Sequence, residues 1–321
     1  MEPRERLYGL IELRERGWRV DPADSRHYGL AGWIRKHFGW LVNPIDLQTV
    51  MKLREYDTLL VKDDFSLMAV LAGRMLGKKV IFLDAMFDVP TRFWRRWSAR
   101  LCVHLAHKTI AFSSSQTALW VKKLGLSTNK LCSTSFSLDG DFYEVPVAET
   151  ASESFVFAVG RDVGRDFQAL IDAARGTDLT IELVTLPYLS DTLKTHGVHV
   201  RVFPRLSYQE LFLRYAQARV AVIPLRDAIT YPSGIRAVLE AMIMGTPVVA
   251  TRTPVLEELF SHRQELLFVD PGDAISLRSH LVWILENADE AREMANRAQV
   301  LVRTRYNMKS YVDFLEQTLL A

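Results

Sequence analysis

Short apolar segments rich in β-branched and aromatic residues alternate with longer amphipathic segments along most of the chain. From residue 56 the apolar segments include Y-D-T-L-L-V-K, K-K-V-I-F-L-D and H-K-T-I-A-F-S, which are typical of buried strands. The segments between them have helical periodicity, and two of them end at Gly77 and Gly125, where a helix C-cap favours glycine. This alternation predicts an α/β fold with parallel sheets.

A polar segment without apolar periodicity, residues 145–154, divides the alternation into two series. We predict a first domain over residues 1–146, a second over 147–300, and a C-terminal helix over 301–321 that can cross back to the first domain. Both domains are expected to be doubly wound, Rossmann-like sheets. Ligands of such sheets bind outside the carboxyl ends of the strands, so a ligand is expected in a cleft between the domains.

Composition places the chain among ordinary globular proteins, with 49% hydrophobic and 24% charged residues. Its two cysteines, Cys102 and Cys132, form no Cys-x-x-Cys or Cys/His cluster, so neither a disulfide framework nor a structural zinc site is expected. No apolar stretch reaches the roughly 20 residues of a spanning helix, and the first residues are too polar for a secretory signal. The expected location is the cytoplasm.

The segment Y-P-S-G-I-R-A-V-L-E-A-M-I-M-G-T-P-V-V-A-T, residues 231–251, follows a predicted strand and enters a helix. Apolar residues at positions 235, 238, 239, 242 and 243 recur at the spacing of a helix face packed on a sheet. Ser233 is the predicted N-cap, and Gly234 lets a ligand approach the first free N–H groups of the helix. The segment therefore predicts a phosphate-binding site at the helix N-terminus.

Glu240 places a carboxylate in this apolar helix. It lies on one face with Ser233 and Arg236, and its side chain points toward the helix N-terminus. There it can accept hydrogen bonds from two ribose hydroxyls. The alternative is a surface i,i+4 pair with Arg236, worth about 0.3–0.5 kcal/mol, and the spacing alone does not separate the two.

A second glycine-containing turn opens the same domain in A-V-G-R-D-V-G-R-D-F, where a predicted strand passes into a helix. Gly160 and Gly164 alternate there with Arg161 and Arg165, and arginine is the side chain best suited to bidentate phosphate contact. The alternative is an ordinary turn whose arginines are solvated.

Three segments in order resemble the group 1 glycosyltransferases, nucleotide-sugar-dependent enzymes with the two-domain GT-B fold. They are F-V-F-A-V-G-R-D-V-G-R-D-F-Q-A-L-I-D-A, V-R-V-F-P-R-L-S-Y-Q-E-L-F-L-R-Y-A-Q-A-R-V-A-V-I-P-L and L-E-A-M-I-M-G-T-P-V-V-A-T. More loosely, A-H-K-T-I-A-F-S-S-S and S-F-S-L-D-G-D-F-Y resemble stretches of the family's N-terminal half, so the likeness covers nearly the whole chain.

The resemblance implies a nucleotide diphosphate sugar as donor substrate and no further cofactor. Arg161 and Arg165, beside Gly160, would hold the diphosphate, together with backbone N–H groups around the helix start, and Glu240 would hold the ribose. The other residues implied at the donor site are those of the helix start and of the loop framing the base: Ser233, Gly234, Ile235, Pro204, Arg205 and Leu206.

Two departures from the family pattern keep other functions open. The family carries two glutamates eight residues apart, whereas the position eight before Glu240 is Pro232. The family also begins with a strand and a glycine-rich loop, whereas this chain opens in R-E-R-L-Y-G-L-I-E-L-R-E-R-G-W-R-V-D, which looks like the first helix and second strand of that domain. The alternatives are an inactive homologue that binds nucleotide or a partner as a scaffold, and a GT-B-fold sugar-nucleotide epimerase.

The resemblance implies a retaining transfer, in which arginines and helix N-termini stabilise the leaving diphosphate without a metal. No Asp-x-Asp metal motif is evident, and Asp63 and Asp64 are interpreted as a strand-end loop. On the acceptor side, Asp84 ends a predicted strand where family members often place a His or Asp that faces the sugar, and Asp88 follows it. The alternative for both is a capping or loop acid.

Two patches, residues 26–41 and 90–101, interleave Trp and Phe with Arg and Lys. This composition is typical of helices that lie on anionic membranes, and it favours a glycan or lipid-linked acceptor at the inner face of the membrane. The alternative is that the tryptophans are core residues flanked by arginines. Nucleic-acid binding is not expected, because no reader motif occurs and the net charge is only +2.

Overall fold

The computed structural model describes residues 3–21, 47–62, 67–83, 93–144, 153–227 and 231–321. The chain divides into two compact units. The six-stranded unit comprises Met1–Gly9, Phe136–Ile229 and Ser233–Tyr311, and the four-stranded unit comprises Leu10–Ser135, Thr230–Pro232 and Val312–Ala321. The boundary predicted from the sequence fell after residue 146, whereas this division falls between Ser135 and Phe136.

The strands of the described residues lie where the apolar segments predict them. They are β1 (Thr58–Lys62), β2 (Lys79–Leu83), β3 (Lys108–Ala111), β4 (Leu131–Ser133), β5 (Glu153–Val159), β6 (Thr180–Val184), β7 (His199–Phe203), β8 (Ala218–Ile223), β9 (Val248–Thr251) and β10 (Leu267–Val269).

The α-helices occupy the amphipathic segments between the strands. They are α1 (Leu10–Glu15), α2 (Leu47–Lys52), α3 (Leu67–Met75), α4 (Phe93–Leu105), α5 (Ser114–Leu124), α6 (Phe167–Ala174), α7 (Pro187–Ser190), α8 (Tyr208–Gln217), α9 (Ile235–Ile243), α10 (Pro254–Leu259), α11 (Ala274–Glu286), α12 (Ala288–Arg305) and α13 (Met308–Leu320).

The six-stranded sheet is parallel, with the order β10-β9-β8-β5-β6-β7. The strand order reverses at β5, because β6 and β7 lie on one side of it and β8 to β10 on the other. In open α/β sheets the loops at such a switch point diverge and leave a crevice where ligands bind. A ligand site is therefore expected at the loops after β5 and β8.

Both faces of this sheet are covered. Val156 and Ala158 of β5 face the apolar cluster that includes α6, α11 and the start of α12. Phe157, which points to the other face, packs edge-on against Tyr215 of α8, with 4.9 Å between ring centroids. Helix α9 lies among α8, α12 and the strands β8 and β9, and apart from Arg236 all of its residues are buried.

The four-stranded sheet is also parallel and follows chain order, β1-β2-β3-β4. Val80 and Phe82 of β2 pack with Cys102 of α4 in one cluster, and Trp120 of α5 is fully buried in another. Burial of the Cys102 thiol raises its pKa to about 12. The two cysteines are free thiols.

The N-terminal segment differs from the prediction of one helix followed by a strand. Residues Arg4–Leu7 form a 3₁₀ turn, and positive φ angles at Tyr8 (51°) and Gly9 (78°) separate it from α1. Residues 17–21, at the end of this segment, form no strand, and their side chains bond to helices and turns instead: Trp18 donates from Nε1 to Glu316 of α13 at 2.7 Å, and Arg19 donates to Glu55 at 2.8 Å. Among the described residues, no strand precedes β1.

The C-terminal segment contains two helices rather than one. Residues 301–305 complete α12, which packs against α9, and α13 follows after a short break. The division between the two units falls inside α13, so the residues from Val312 onward belong with Leu10–Ser135.

Candidate functional site

The loop after β5 folds the side chain of Arg165 against Gly160. A Cβ atom on residue 160 would lie 2.1 Å from Nε of Arg165, so any side chain there would displace the arginine. Asp162 fixes the loop, because its carboxylate accepts hydrogen bonds from the backbone N–H of Gly164 (3.0 Å) and from Nε of Arg165 (3.1 Å). Arg165 is thereby only 6% exposed.

Hydrogen bonds join this loop to the segment after β8. The backbone N–H of Asp166 donates to the carbonyl of Pro224 at 3.0 Å, and that of Arg226 donates to the carbonyl of Gly164 at 2.8 Å. The two loops at the switch point of the sheet therefore form one platform, on which Arg165 lies.

Helix α9 begins beside this platform. Its N-cap is Gly234, with φ 85°, and no side chain caps its first N–H groups. The prediction of Ser233 as the N-cap was wrong, because the Ser233 hydroxyl donates instead to Oδ1 of Asp162 at 3.0 Å. A Cβ atom on residue 234 would lie 2.9 Å from Ile223 and 3.4 Å from Nη1 of Arg165. Gly234 is thus required both by the turn and by the approach of the arginine.

The guanidinium of Arg165 is incompletely satisfied. Its Nη1 is buried, and among the described residues it has no hydrogen-bond acceptor. A buried donor on a cation without a partner is costly. A helix N-terminus attracts anions, because its first N–H groups have no intrahelical acceptor and carry a partial positive charge. The arrangement can bind an anion such as phosphate between Arg165 and the first turn of α9.

Glu240 is buried in α9, with its side chain only 6% exposed. Its Oε1 accepts from Nε of Arg236 (2.8 Å) and from the hydroxyl of Tyr143 (3.2 Å). The alternative of an i,i+4 pair is therefore real, but the pair is not a solvated surface pair. Among the described residues, Oε2 of Glu240 has no hydrogen-bond partner.

Electrostatics around Glu240 keep its partners in their donor forms. Burial, and next the negative charge of Glu240, raise the pKa of the Tyr143 phenol, so it stays protonated. Burial opposes the charge on Arg236, but Glu240 and the other acidic groups nearby outweigh it and raise the pKa of the guanidinium.

The remaining predicted donor-side residues are more exposed. Arg161 is exposed, and its carbonyl accepts from the hydroxyl of Tyr188 at 2.7 Å. The loop residues Pro204, Arg205 and Leu206 follow the edge strand β7 and precede α8, which is capped by Ser207. Within the described residues these three make no hydrogen bond or ion pair to Arg165 or Glu240.

Sequence reasoning missed three side chains that shape the site. Asp162, between the two arginines, carries a local signal, because aspartate often hydrogen-bonds a backbone N–H two residues on. Tyr143 and Glu5, which hydrogen-bonds Tyr143, carry none, because they lie 97 and 235 residues from Glu240 in the chain.

The predicted acceptor-side residues Asp84 and Asp88 lie outside the described residues, as do Asp63, Asp64 and the patch 26–41. Of the patch 90–101, residues 93–101 belong to α4. Trp94 (57%) and Trp97 (53%) are exposed there, so the alternative that these tryptophans are core residues was wrong.

The described residues form neither a metal-binding cluster nor a membrane-spanning helix. They contain no group of three His, Cys, Asp or Glu side chains able to hold a metal ion. They also contain no helix long and apolar enough to cross a membrane.

Solved structures of similar architecture share low sequence identity with the chain. Anabaena HepE in complex with UDP is 20% identical with a TM-score of 0.70, over 85% of this chain and 81% of that one. Sucrose-phosphate synthase from Thermosynechococcus elongatus is 17% identical with a TM-score of 0.68, over 85% and 78%. The lipopolysaccharide outer core galactosyltransferase WaaB is 14% identical with a TM-score of 0.59, over 85% and 78%. The fold is GT-B.

The family comparison agrees with the GT-B fold. Residues 188–300 match the family model described as glycosyl transferases group 1. The resemblance predicted from the sequence motifs is confirmed. The matched range contains α9 and the loop after β7, whereas the loop around Arg165 precedes it. No curated protein matches the chain.

Proposed function

We propose that the protein is a glycosyltransferase whose donor is a nucleoside diphosphate sugar, with the diphosphate bound between Arg165 and the first turn of α9. The observation that carries this proposal is the buried Nη1 of Arg165, which has no acceptor among the described residues and lies beside the uncapped helix start at Gly234. HepE, of similar fold, is described as a complex with UDP and with UDP-glucose, which supports a nucleotide-sugar donor.

The rest of the donor is placed along α9 and the neighbouring loops. Glu240 follows Gly234 by six residues, which is about 9 Å along a helix axis. The ribose would hydrogen-bond to its carboxylate, and the base would lie against the loop of Pro204, Arg205 and Leu206. Arg161, at the exposed end of the β5 loop, would add a second positive charge to the diphosphate.

The chemistry proposed for this site is transfer of a hexose with retention and without a metal or other cofactor. As the sugar leaves, negative charge grows on the diphosphate, and the Arg165 guanidinium and helix N–H groups are already oriented to stabilise it.

Asp84 and Asp88 are the proposed acceptor-side acids, and Asp84→Asn is expected to lower transfer while nucleotide affinity is kept.

The proposed acceptor is a glycan or lipid-linked sugar for polysaccharide biosynthesis, used in the cytoplasm at the inner face of the membrane. Helix α4 supports this, because it exposes Phe93, Trp94 and Trp97 together with arginines and contains no acidic residue. Exposed aromatic and cationic side chains on one helix are favourable at an anionic lipid surface.

Calorimetric titration with uridine, adenosine and guanosine diphosphates tests the donor site. At least one is expected to bind, and Arg165→Met is expected to weaken it about 10- to 100-fold, since a charged hydrogen bond is worth about 1.5–3 kcal/mol. Arg292→Met is the matched control, because Arg292 is an exposed arginine of α12 whose side chain is 69% accessible.

Two outcomes would count against the proposal. If none of the diphosphates binds, the donor site is refuted. If one binds but no sugar is transferred or hydrolysed from its nucleotide sugars, the protein acts as a nucleotide-binding scaffold, a role that Pro232 in place of the family's first glutamate would accommodate.

A further inference from the structure

Four polar side chains from distant parts of the chain form a buried cluster on α9. Glu5 of the N-terminal 3₁₀ turn and Tyr143 meet Arg236 and Glu240. All four belong to the six-stranded unit. The side chains of Glu5 and Glu240 are 2% and 6% exposed, so water has little access to either carboxylate and their hydrogen bonds to the protein become important.

The donors of the cluster are shared between the two carboxylates. The Tyr143 hydroxyl lies 2.9 Å from Oε1 of Glu5 and 3.2 Å from Oε1 of Glu240. Arg236 donates from Nη2 to Oε1 of Glu5 (3.2 Å) and from Nε to Oε1 of Glu240 (2.8 Å). The other oxygen of Glu5 accepts from the backbone N–H of Asp139 at 3.2 Å.

The two carboxylate oxygens of Glu240 differ in their hydrogen bonding. Both of its donors converge on Oε1, whereas Oε2 has no partner among the described residues. A glutamate held through one oxygen in this way cannot turn that oxygen toward a ligand without breaking two hydrogen bonds. The remaining oxygen is therefore presented in a fixed direction, with its lone pairs available.

We propose that Tyr143, Arg236 and Glu5 are positioning residues, which fix Oε1 of Glu240 so that Oε2 accepts hydrogen bonds from the ribose hydroxyls of the donor. Tyr143 and Arg236 act directly on Glu240. Glu5 acts through both of them, because it accepts hydrogen bonds from the hydroxyl of Tyr143 and from Nη2 of Arg236. This inference rests on the proposed donor site and assigns the recognition of ribose to a set of residues that includes the N-terminal turn.

A nearby tyrosine supplies a matched control. Tyr215 of α8 is fully buried, and among the described residues its hydroxyl has no hydrogen-bond partner. Tyr143→Phe and Tyr215→Phe each remove one buried hydroxyl, but only the first removes a donor to Glu240. A general loosening of the fold would affect both variants alike.

The test is a comparison of ribose and deoxyribose ligands by calorimetry. Uridine, adenosine and guanosine diphosphates are each titrated beside their 2′,3′-dideoxy forms into the wild type and the two variants. For the diphosphate that binds, the wild type is expected to favour the ribose form about 10- to 100-fold, the range of a hydrogen bond to a charged group. In Tyr143→Phe this preference is expected to fall to about threefold or less, with affinity for the dideoxy form unchanged, and Tyr215→Phe is expected to keep it.

Further variants guard against a folding artefact. Glu5→Gln, which keeps the side-chain shape, is expected to reduce the ribose preference less than Tyr143→Phe, because it acts indirectly. If Tyr143→Phe fails to fold, Arg236→Lys takes its place and is expected to lose the preference, since one ammonium cannot bond both carboxylates in the fork geometry of arginine.

The possible failures are distinguishable. If no diphosphate binds the wild type, the proposed function fails and this inference falls with it. If the wild type binds ribose and dideoxy forms equally, or if Tyr143→Phe keeps the full ribose preference, the positioning role is refuted while the diphosphate site stands.

Discussion

Arg165 and Glu240 are two buried charged side chains, and the protein satisfies each of them only in part. Glu240 has two donors on one oxygen, and the guanidinium of Arg165 has Asp162 on Nε but no acceptor for Nη1 within the described residues. In each case the unsatisfied atom lies on or beside α9. Both side chains were predicted from the sequence as ligand contacts.

At the same scale, Glu5 gives a prediction for pH dependence. Burial raises the pKa of its carboxyl in the folded protein, with Arg236 opposing the shift. As pH rises from the ordinary glutamate pKa through the raised one, the unfolded state releases its proton first, so the folded state loses stability. The protein is expected to lose free energy of unfolding over that interval relative to Glu5→Gln.

Thermal unfolding of both proteins from pH 4 to pH 8 measures this. The melting temperature of Glu5→Gln minus that of the wild type is expected to increase with pH. Carboxyls whose pKa is lowered, such as Asp273 at the cap of α11, contribute equally to both proteins and cancel in the difference. A difference that decreases with pH would contradict a raised pKa.

The residue scale also marks the limit of prediction from the sequence. Gly160, Arg165 and Gly234 follow strands at positions where turn chemistry is local, so their place could be predicted. The predicted role of Ser233 as N-cap was wrong. Whether its hydroxyl caps α9 or bonds to Asp162 depends on a loop 71 residues earlier in the chain. Tyr143 contacts Glu240, and Glu5 contacts Tyr143, only once the chain has folded, so no local sequence pattern predicts either contact.

Among the secondary-structure elements, helix α9 positions most of the candidate site. Burial on nearly all sides fixes its direction, so the position of its first turn is set by the core. The strands were well predicted, because each is an apolar run between turn residues. The segment 17–21 forms no strand, and its short apolar pattern does not reveal that Trp18 bonds to α13.

Gly234→Ala tests the start of α9. Alanine at φ 85° is strained by about 1 kcal/mol, and its Cβ would also approach Ile223 and Nη1 of Arg165. We expect loss of stability and at least tenfold weaker binding of the diphosphate in calorimetry. Gly197→Ala is the matched control, with φ 74° and no atom within 4 Å of the added Cβ. It should lose similar stability from strain but keep the affinity, and equal loss of affinity in both would contradict the steric argument.

At the scale of the whole molecule, the proposed membrane contact rests on the exposed aromatic residues of α4 in the four-stranded unit. Trp94 and Trp97 are not needed by the core, because Ala99, Cys102 and Val103 make the buried face of the helix. Arg95 and Arg96 lie exposed between the two tryptophans, so the helix combines the side chains that favour an anionic lipid surface.

Sedimentation with vesicles measures that contact. Trp94→Ser with Trp97→Ser is expected to reduce binding to vesicles containing anionic phospholipid several-fold, and to leave binding to neutral vesicles weak. Ile275→Ser, which removes an 82% exposed residue from α11 of the six-stranded unit, serves as the control and is expected to change nothing. Unaltered sedimentation of the double variant would refute membrane contact through α4.

The side chain of Arg165 occupies the space that a Cβ atom on residue 160 would fill. Glycine at position 160 is therefore needed for arginine at position 165 to keep its place. The residues allowed at position 165 therefore depend on the residue at position 160. In a library randomised at both and selected for nucleotide binding, survivors are expected to keep glycine and arginine together. In clones where residue 160 is no longer glycine, residue 165 is expected to vary freely. An arginine displaced from the platform could no longer contact the diphosphate, so selection would not retain it.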